Sequence, residues 1–159
     1  MMPGKRCFFI GHRDAPDTLL PLLCRTIEQH IAEYSVTEFV VGHYGSFDHM
    51  AGKAVIKAKE LYPEIALTLL LPYHPAEHLI EVPLGYDGTF YPPEMERVPR
   101  KAAIVRANRY MVDHSDYLIA YVWHPASNAR NMLEYAQTRK RKGFIEIINL
   151  YKNSSAGLR

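Results

Sequence analysis

The sequence predicts an α/β three-layer sandwich with a mainly parallel sheet of about five strands. Two observations carry this. Short apolar runs, rich in β-branched and aromatic residues, recur along the chain as buried strands do. Between them lie stretches whose apolar residues repeat at the spacing of one helix face. Strands that alternate with helices imply right-handed crossovers and helices on both faces of the sheet.

Composition sets the outer limits. The 159 residues suit one domain, 1–159, large enough to bury a core. Hydrophobic content of 48% and charged content of 23% are ordinary globular values. No apolar run is long enough for a membrane span, so no membrane partner is expected. A net charge of +2 gives no mandate for nucleic acid, which reads as an unlikely partner. Cys7 and Cys24 are isolated and read as buried thiols of a reducing compartment, so the protein is expected in the cytoplasm. Met1 to Arg6 is not followed by the apolar segment and small-residue cleavage site of a secretory leader.

In chain order, Cys7-Phe8-Phe9-Ile10 reads as a central strand that ends at Gly11. Asp17 is a good N-cap for a helix to about Tyr34, with Leu19, Leu20, Leu23, Ile27 and Ile31 inward and Pro21 tolerated in its first turn. Glu38 to Val41 is the second strand. Gly42 and Gly45 bracket the turn after it, and Ser46 is placed to cap a helix from Phe47 to about Tyr62. Ile65 to Leu71 is the third strand. From Pro72 to Arg100 the pattern changes to a long loop rich in proline, with Tyr73, Tyr86, Phe90 and Tyr91. A loop of this length is usually a lid, a binding loop or disordered, and the aromatics give it something to bury. Lys101 to Asp113 is a helix, Tyr117 to Trp123 the fourth strand, Pro125 to about Lys140 a helix, and Ile145 to Leu150 the fifth strand.

Ligands of such sheets bind at the carboxyl ends of the strands, where strand order reverses. Four turns occupy that rim: Gly11-His12-Arg13, Gly42-His43-Tyr44-Gly45, Pro72-Tyr73-His74 and Trp123-His124-Pro125. Each holds one histidine, so His12, His43, His74 and His124 are expected to face one rim. The second turn, with Ser46 and Asp48 behind it, combines a strand, glycines and a helix N-terminus, which together favour a phosphate. Its spacing fits neither the dinucleotide fingerprint nor the P-loop, so the bland alternative is a turn that needs two glycines.

Three chemistries are open at this point. One is an anion or nucleotide site in which Arg13 forks a phosphate. Another is a hydrolase with Glu134 or Asp48 as acid or base. The third is a metal at His74 and His78, but Pro72 and Pro75 disfavour a regular helix there and no Cys or carboxylate cluster joins the pair, so no metal site is assigned.

Several blocks resemble a known family. Cys7-Phe8-Phe9-Ile10-Gly11-His12-Arg13 resembles the opening of the bacterial YpsA-like family, a branch of the SLOG superfamily of Rossmann-like proteins. Relatives there include the LOG phosphoribohydrolases and DNA-processing protein A. Gly42-x-x-Gly45-x-Phe47-Asp48 resembles the glycine turn and aspartate of the family. The run from Arg106 to Asp116, and Met132-Leu133-Glu134-Tyr135-Ala136, extend the resemblance over nearly the whole chain. The resemblance implies a Rossmann-like sheet and a site for a nucleotide-like or phosphorylated ligand. Where relatives carry a Gly-Gly-Thr phosphate turn, this chain has Ser127-Asn128-Ala129, which still offers capping and donor groups. Glu134 falls where the LOG enzymes carry a catalytic glutamate, though the glycine frame of that motif is absent. Its bland alternative is a surface helix residue beside Arg130. Asp113 and Asp116 read as turn residues with structural roles.

Together these readings describe a cytoplasmic binding protein, possible as a sensor, for a nucleotide-related or other phosphorylated small molecule. The expected ligand rim comprises Gly11, His12, Arg13, Gly42, His43, Tyr44, Gly45, Ser46, Asp48, Trp123, His124, Ser127 and Asn128. No cofactor is assigned beyond such a nucleotide-like ligand. The alternative is a hydrolase that cleaves the N-glycosidic bond of a nucleoside phosphate, with Glu134 catalytic. A third reading is an interaction module that uses the 72–100 loop. That loop is expected either to cover the rim with one aromatic ring against the ligand, or to pack on the protein's own helices or across a homo-oligomer interface.

Overall fold

The computed structural model describes residues 4–151, so the readings of the first three residues and of the polar stretch 152–159 lie outside the described residues. A six-stranded, wholly parallel sheet forms the middle layer, in the order β4-β3-β2-β1-β5-β6. Its strands are β1 (Lys5–Gly11), β2 (Val36–Val41), β3 (Ala66–Leu70), β4 (Gly88–Phe90), β5 (Tyr117–Tyr121) and β6 (Glu146–Asn149). Helices α1 (Leu20–Tyr34) and α2 (Ser46–Lys59) cover one face, and α3 (Ala103–Asp113) and α4 (Asn128–Arg141) cover the other. This is a Rossmann-like three-layer sandwich.

The central strands carry unbroken apolar runs, Cys7–Ile10, Phe39–Val41 and Leu118–Tyr121, because both faces are covered, and their side chains alternate between two cores. Phe9, Phe39 and Val41 pack with Leu23, Ile27 and Phe47 from α1 and α2. Phe8, Ile10 and Val40 pack with Ala107, Met111 and Leu133 from α3 and α4. The central pairing sets Phe8 beside Leu118 and Gly11 beside Tyr121, so β1 and β5 end level with one another.

Asp17 does not cap α1 with its side chain. It opens a 3-10 turn over Asp17–Leu19, and Pro21 follows at the start of the helix, where a missing N–H removes no bond. The turn before β5 has the structural role read for it. Asp116 accepts the Arg6 N–H at 2.9 Å, and Asp113 accepts the Tyr135 hydroxyl and faces Arg139 at 3.3 Å.

The sixth strand is the main departure from the sequence reading. β4 lies inside the 72–100 stretch and pairs with the edge of β3. Asp87 holds it there: one carboxylate oxygen accepts the Leu67 N–H at 2.8 Å and meets Lys59 at 2.7 Å. Three residues are too few to show a strand period. The rest of the stretch is also tied down. Tyr86 packs on Gly52 of α2, Phe90 lies 5.6 Å from the Tyr110 ring of α3, and Arg100 sits 4.7 Å over Tyr73. The aromatics therefore pack on the protein's own helices. None of Tyr73, Tyr86, Phe90 and Tyr91 reaches the rim as a cover.

Candidate functional site

The chain leaves β1 toward β2 on one side and returns through β5 on the other. No crossover bridges the carboxyl ends of β1 and β5, which leaves a crevice at the point where strand order reverses. A cleft of about 480 Å³ opens there. That volume lies within the range of about 300–1,000 Å³ usual for small-molecule sites. Helix α3 and the turn before it contribute to its lining, among others Lys101, Ile104 and Asn108.

His12 closes the floor of the crevice. Its Nε2 accepts the N–H of Trp123 at 2.9 Å and that of His124 at 3.1 Å, so it joins the ends of β1 and β5. Two backbone donors on Nε2 fix the tautomer, with the proton on Nδ1. Burial, and secondarily the His124 and Arg130 charges, push the imidazole below its usual pKa against an opposing pull from Asp14. His12 is thus a neutral latch between two strands. From the far side, Asn149 fixes the same turn: its side chain accepts the Val122 N–H at 3.1 Å and donates to the Val122 carbonyl at 2.9 Å.

Asp48 forms one wall. It is the third residue of α2, and its carboxylate folds back to accept the Tyr44 N–H at 3.2 Å. Gly42 makes room for it, since a Cβ there would stand 2.6 Å from Asp48 Oδ2. The residue is half-buried and lines the cleft. Burial pushes its pKa up to about 7, against weaker opposing effects from the Tyr44 bond and from Arg13.

The glycine turn is shaped differently from the expected phosphate cradle. Gly45, at φ 111°, is the N-cap of α2, and its backbone lies against Arg13, where a Cβ would meet Arg13 Cα at 2.7 Å. The Ser46 N–H donates to the Arg13 carbonyl at 2.9 Å, and the Ser46 hydroxyl donates to the Ala15 carbonyl at 2.9 Å. Ser46 therefore neither caps the helix nor offers its N–H to a ligand. The Asp48 carboxylate beside this helix end further disfavours an anion there.

The N-terminus of α4 is the better anion cradle. Ser127 is its N-cap, with an extended backbone, and its side chain accepts the Arg130 N–H at 3.1 Å. The N–H groups of Asn128 and Ala129 have no protein partner among the described residues, and both residues line the cleft. No acidic residue occupies this first turn. The exposed side chains of Arg13 and Lys101 also border the cleft and form no ion pair among the described residues.

The structure brings most of the predicted rim together. Gly11, His12, Arg13, Gly42, Tyr44 and Asp48 line the cleft from one side, and Trp123, His124, Ser127 and Asn128 from the other. His43, Gly45 and Ser46 are not among the residues that line it. Of the four rim histidines only His12 and His124 meet, their rings 6.4 Å apart, while His43 is exposed and His74 lines a separate cavity. Glu134 is exposed on α4 and is not among the cleft residues, so it is not placed to act on anything bound there. Sequence reasoning missed Lys101 and Ile104. Lys101 directly follows the 72–100 stretch and Ile104 lies one turn later, and only the tertiary packing of α3 brings them to the cleft.

No protein-family model matches the sequence, and no curated protein matches it. Among solved structures, the chain is similar to DNA processing protein A from Helicobacter pylori, whose structure was solved for its single-stranded DNA binding mode. Sequence identity is 17%, the TM-score is 0.53, and the match covers 97% of this chain and 80% of that one. The likeness is one of fold. It overturns the expectation that nucleic acid is an unlikely partner, because a single-stranded DNA binder is built on this same fold. The physical reason lies in averaging: a small net charge says nothing of the local field at one rim. No helix among the described residues is long and apolar enough to cross a membrane.

Proposed function

We propose that the cleft binds a nucleotide unit, presented as a free nucleotide or by a single-stranded nucleic acid. The observation that carries this reading is the pair of N–H groups at Asn128 and Ala129, without a partner among the described residues, on the wall of a cleft bordered by Arg13 and Lys101. Phosphate belongs at that end. Asp48, on the opposite wall, suits a sugar hydroxyl or a base N–H, since a carboxylate repels phosphate but accepts from either. The resemblance to the YpsA-like family of the SLOG superfamily agrees with this assignment, and so does the DNA-binding fold neighbour.

The test uses a substitution that removes a donor without harming the helix. Asn128 is the first helical residue and Ser127 before it is extended at φ −131°, ψ 159°, so proline is sterically admissible at 128. Asn128→Pro is expected to fold normally and to bind a panel of nucleoside monophosphates and short oligonucleotides about 10-fold or more weakly, the scale of one charge-assisted hydrogen bond. Arg13→Ala should weaken the same ligands to a similar degree. Asn128→Ala, which keeps the N–H, is the control. Calorimetric affinities that do not change in Asn128→Pro and Arg13→Ala would remove the phosphate from this end of the cleft.

One observation favours a second reading, N-glycosidic hydrolysis. A carboxyl with a pKa near 7 in a cleft is suited to acid–base work, and Asp48 is such a group. Release of free base from nucleoside monophosphates, abolished in Asp48→Asn, supports the hydrolase. Binding without release supports the binder.

A further inference from the structure

A second cavity, of about 350 Å³, lies beside the cleft and shares Pro72 with it. It is built from the 72–100 stretch and the start of α3, and it differs from the cleft in chemistry. Rings form its walls: His74 and Tyr91 meet edge to face at 5.3 Å, and Tyr73 lies under the Arg100 guanidinium at 4.7 Å. Two carboxylates, Glu77 and Glu96, border it and form no ion pair among the described residues. Their charges, after burial, hold the Tyr91 hydroxyl above its usual pKa, which places both near that ring.

The partition between the two spaces is polar. Tyr44 lines the cleft, and its hydroxyl is enclosed without a hydrogen-bond partner among the described residues. Arg13, Arg100 and Tyr73 are close enough to perturb that hydroxyl. Arg100 borders the second cavity and the adjoining Lys101 borders the cleft.

We infer that the second cavity is a subsite for the base of a second nucleoside, so that the ligand is a unit of two linked nucleotides rather than one. This rests on the proposed reading of the cleft as a nucleotide site. Charge decides which part of the ligand goes where. A cavity edged by Glu77 and Glu96 excludes phosphate, accepts an uncharged ring against Tyr91 and His74, and favours a base with an exocyclic amino group that donates to a carboxylate. The linking phosphate falls at the partition, where Arg100 and Lys101 supply positive charge.

Calorimetric titration with adenosine monophosphate, 5′-phosphorylated diadenylate and 5′-phosphorylated diuridylate tests this. Diadenylate is expected to bind about tenfold or more tightly than the monophosphate, the scale of one stacked base. It should also outbind diuridylate, which has no amino group. Tyr91→Ala should bring diadenylate to the level of the monophosphate while leaving the monophosphate unchanged. Glu96→Gln, at an exposed side chain, should reduce the preference for adenine over uracil. Equal affinity of monophosphate and diadenylate for the unmodified protein overturns the second subsite and leaves the cleft reading standing. Binding of neither overturns both. A 5′-phosphorylated hexa-adenylate separates the two sources of such a ligand: affinity no greater than that of diadenylate marks a free dinucleotide, a further gain marks a single strand, and either supports the two-unit site.

Discussion

Asp48→Asn is expected to stabilise the protein above pH 7 by on the order of 2–4 kcal/mol, because it removes a carboxylate that is costly to ionise where it sits. The carboxyl has a usual pKa of 3.8, and burial raises it to about 7 in the folded protein. The folded state therefore holds a proton that the unfolded chain has already released over this range. Stability from the protonated form is complete below pH 3.8, declines as pH rises, and is gone once pH passes about 7. Asparagine keeps an oxygen for the Tyr44 N–H and has no charge to lose, so the decline should vanish. Denaturant unfolding at intervals between pH 4 and 9 measures both curves. Parallel curves for the two proteins would show that Asp48 is not held out of water. A natural protein that keeps so unfavourable a group in a cleft suggests a use for it, and the same variant should bind the cleft's ligand more weakly.

His12→Phe has the opposite sign. Phenylalanine fills the space but accepts nothing, so the Trp123 and His124 N–H groups lose their shared acceptor. Two part-buried donors left unpaired should cost about 2–4 kcal/mol. The turn that carries Trp123 to Ser127 should loosen first, visible as faster hydrogen exchange at Trp123 and His124 than at core amides of β5. The pH dependence of the latch also has a definite sign. His12 titrates below its usual 6.5 in the folded protein, so its stabilisation is complete above 6.5 and is lost as pH falls through the lowered value. Acidification thus weakens the latch while it relieves Asp48. An unaltered melting temperature and exchange pattern in His12→Phe would mean the two bonds carry little.

Much of this architecture was legible in the sequence, and the parts that were not share a cause. Runs such as Cys7–Ile10 and Phe39–Val41 declare buried strands because both faces of a parallel sheet are covered and no polar position interrupts them. The rim followed from topology, since the turn after each strand must lie at the carboxyl end. What failed was anything decided by a single hydrogen bond. Ser46 has the side chain of a cap, yet its N–H belongs to Arg13 and its hydroxyl to Ala15, contacts set by how β1 and α2 pack. Likewise, Glu134 falls at the position the family resemblance singles out but is exposed on α4 and does not line the cleft. The short strand β4 depends on Asp87 bonding the backbone of β3, which no local pattern announces. His12 looked like one loop histidine of four. Its distinction appears only when Trp123 is brought to 2.9 Å from it across 111 residues of chain.

The central claim is that the cleft between β1 and β5 receives a nucleotide with its phosphate on the N-terminus of α4. The most direct measurement is a backbone amide NMR titration with adenosine monophosphate. The account predicts the largest shifts at Asn128 and Ala129, with smaller ones at Arg13 and Lys101 and little change at Ser46, whose N–H is already bonded to Arg13. Shifts centred on Ser46 and Phe47 with Asn128 and Ala129 silent, or no saturable shift anywhere in the cleft, would contradict it.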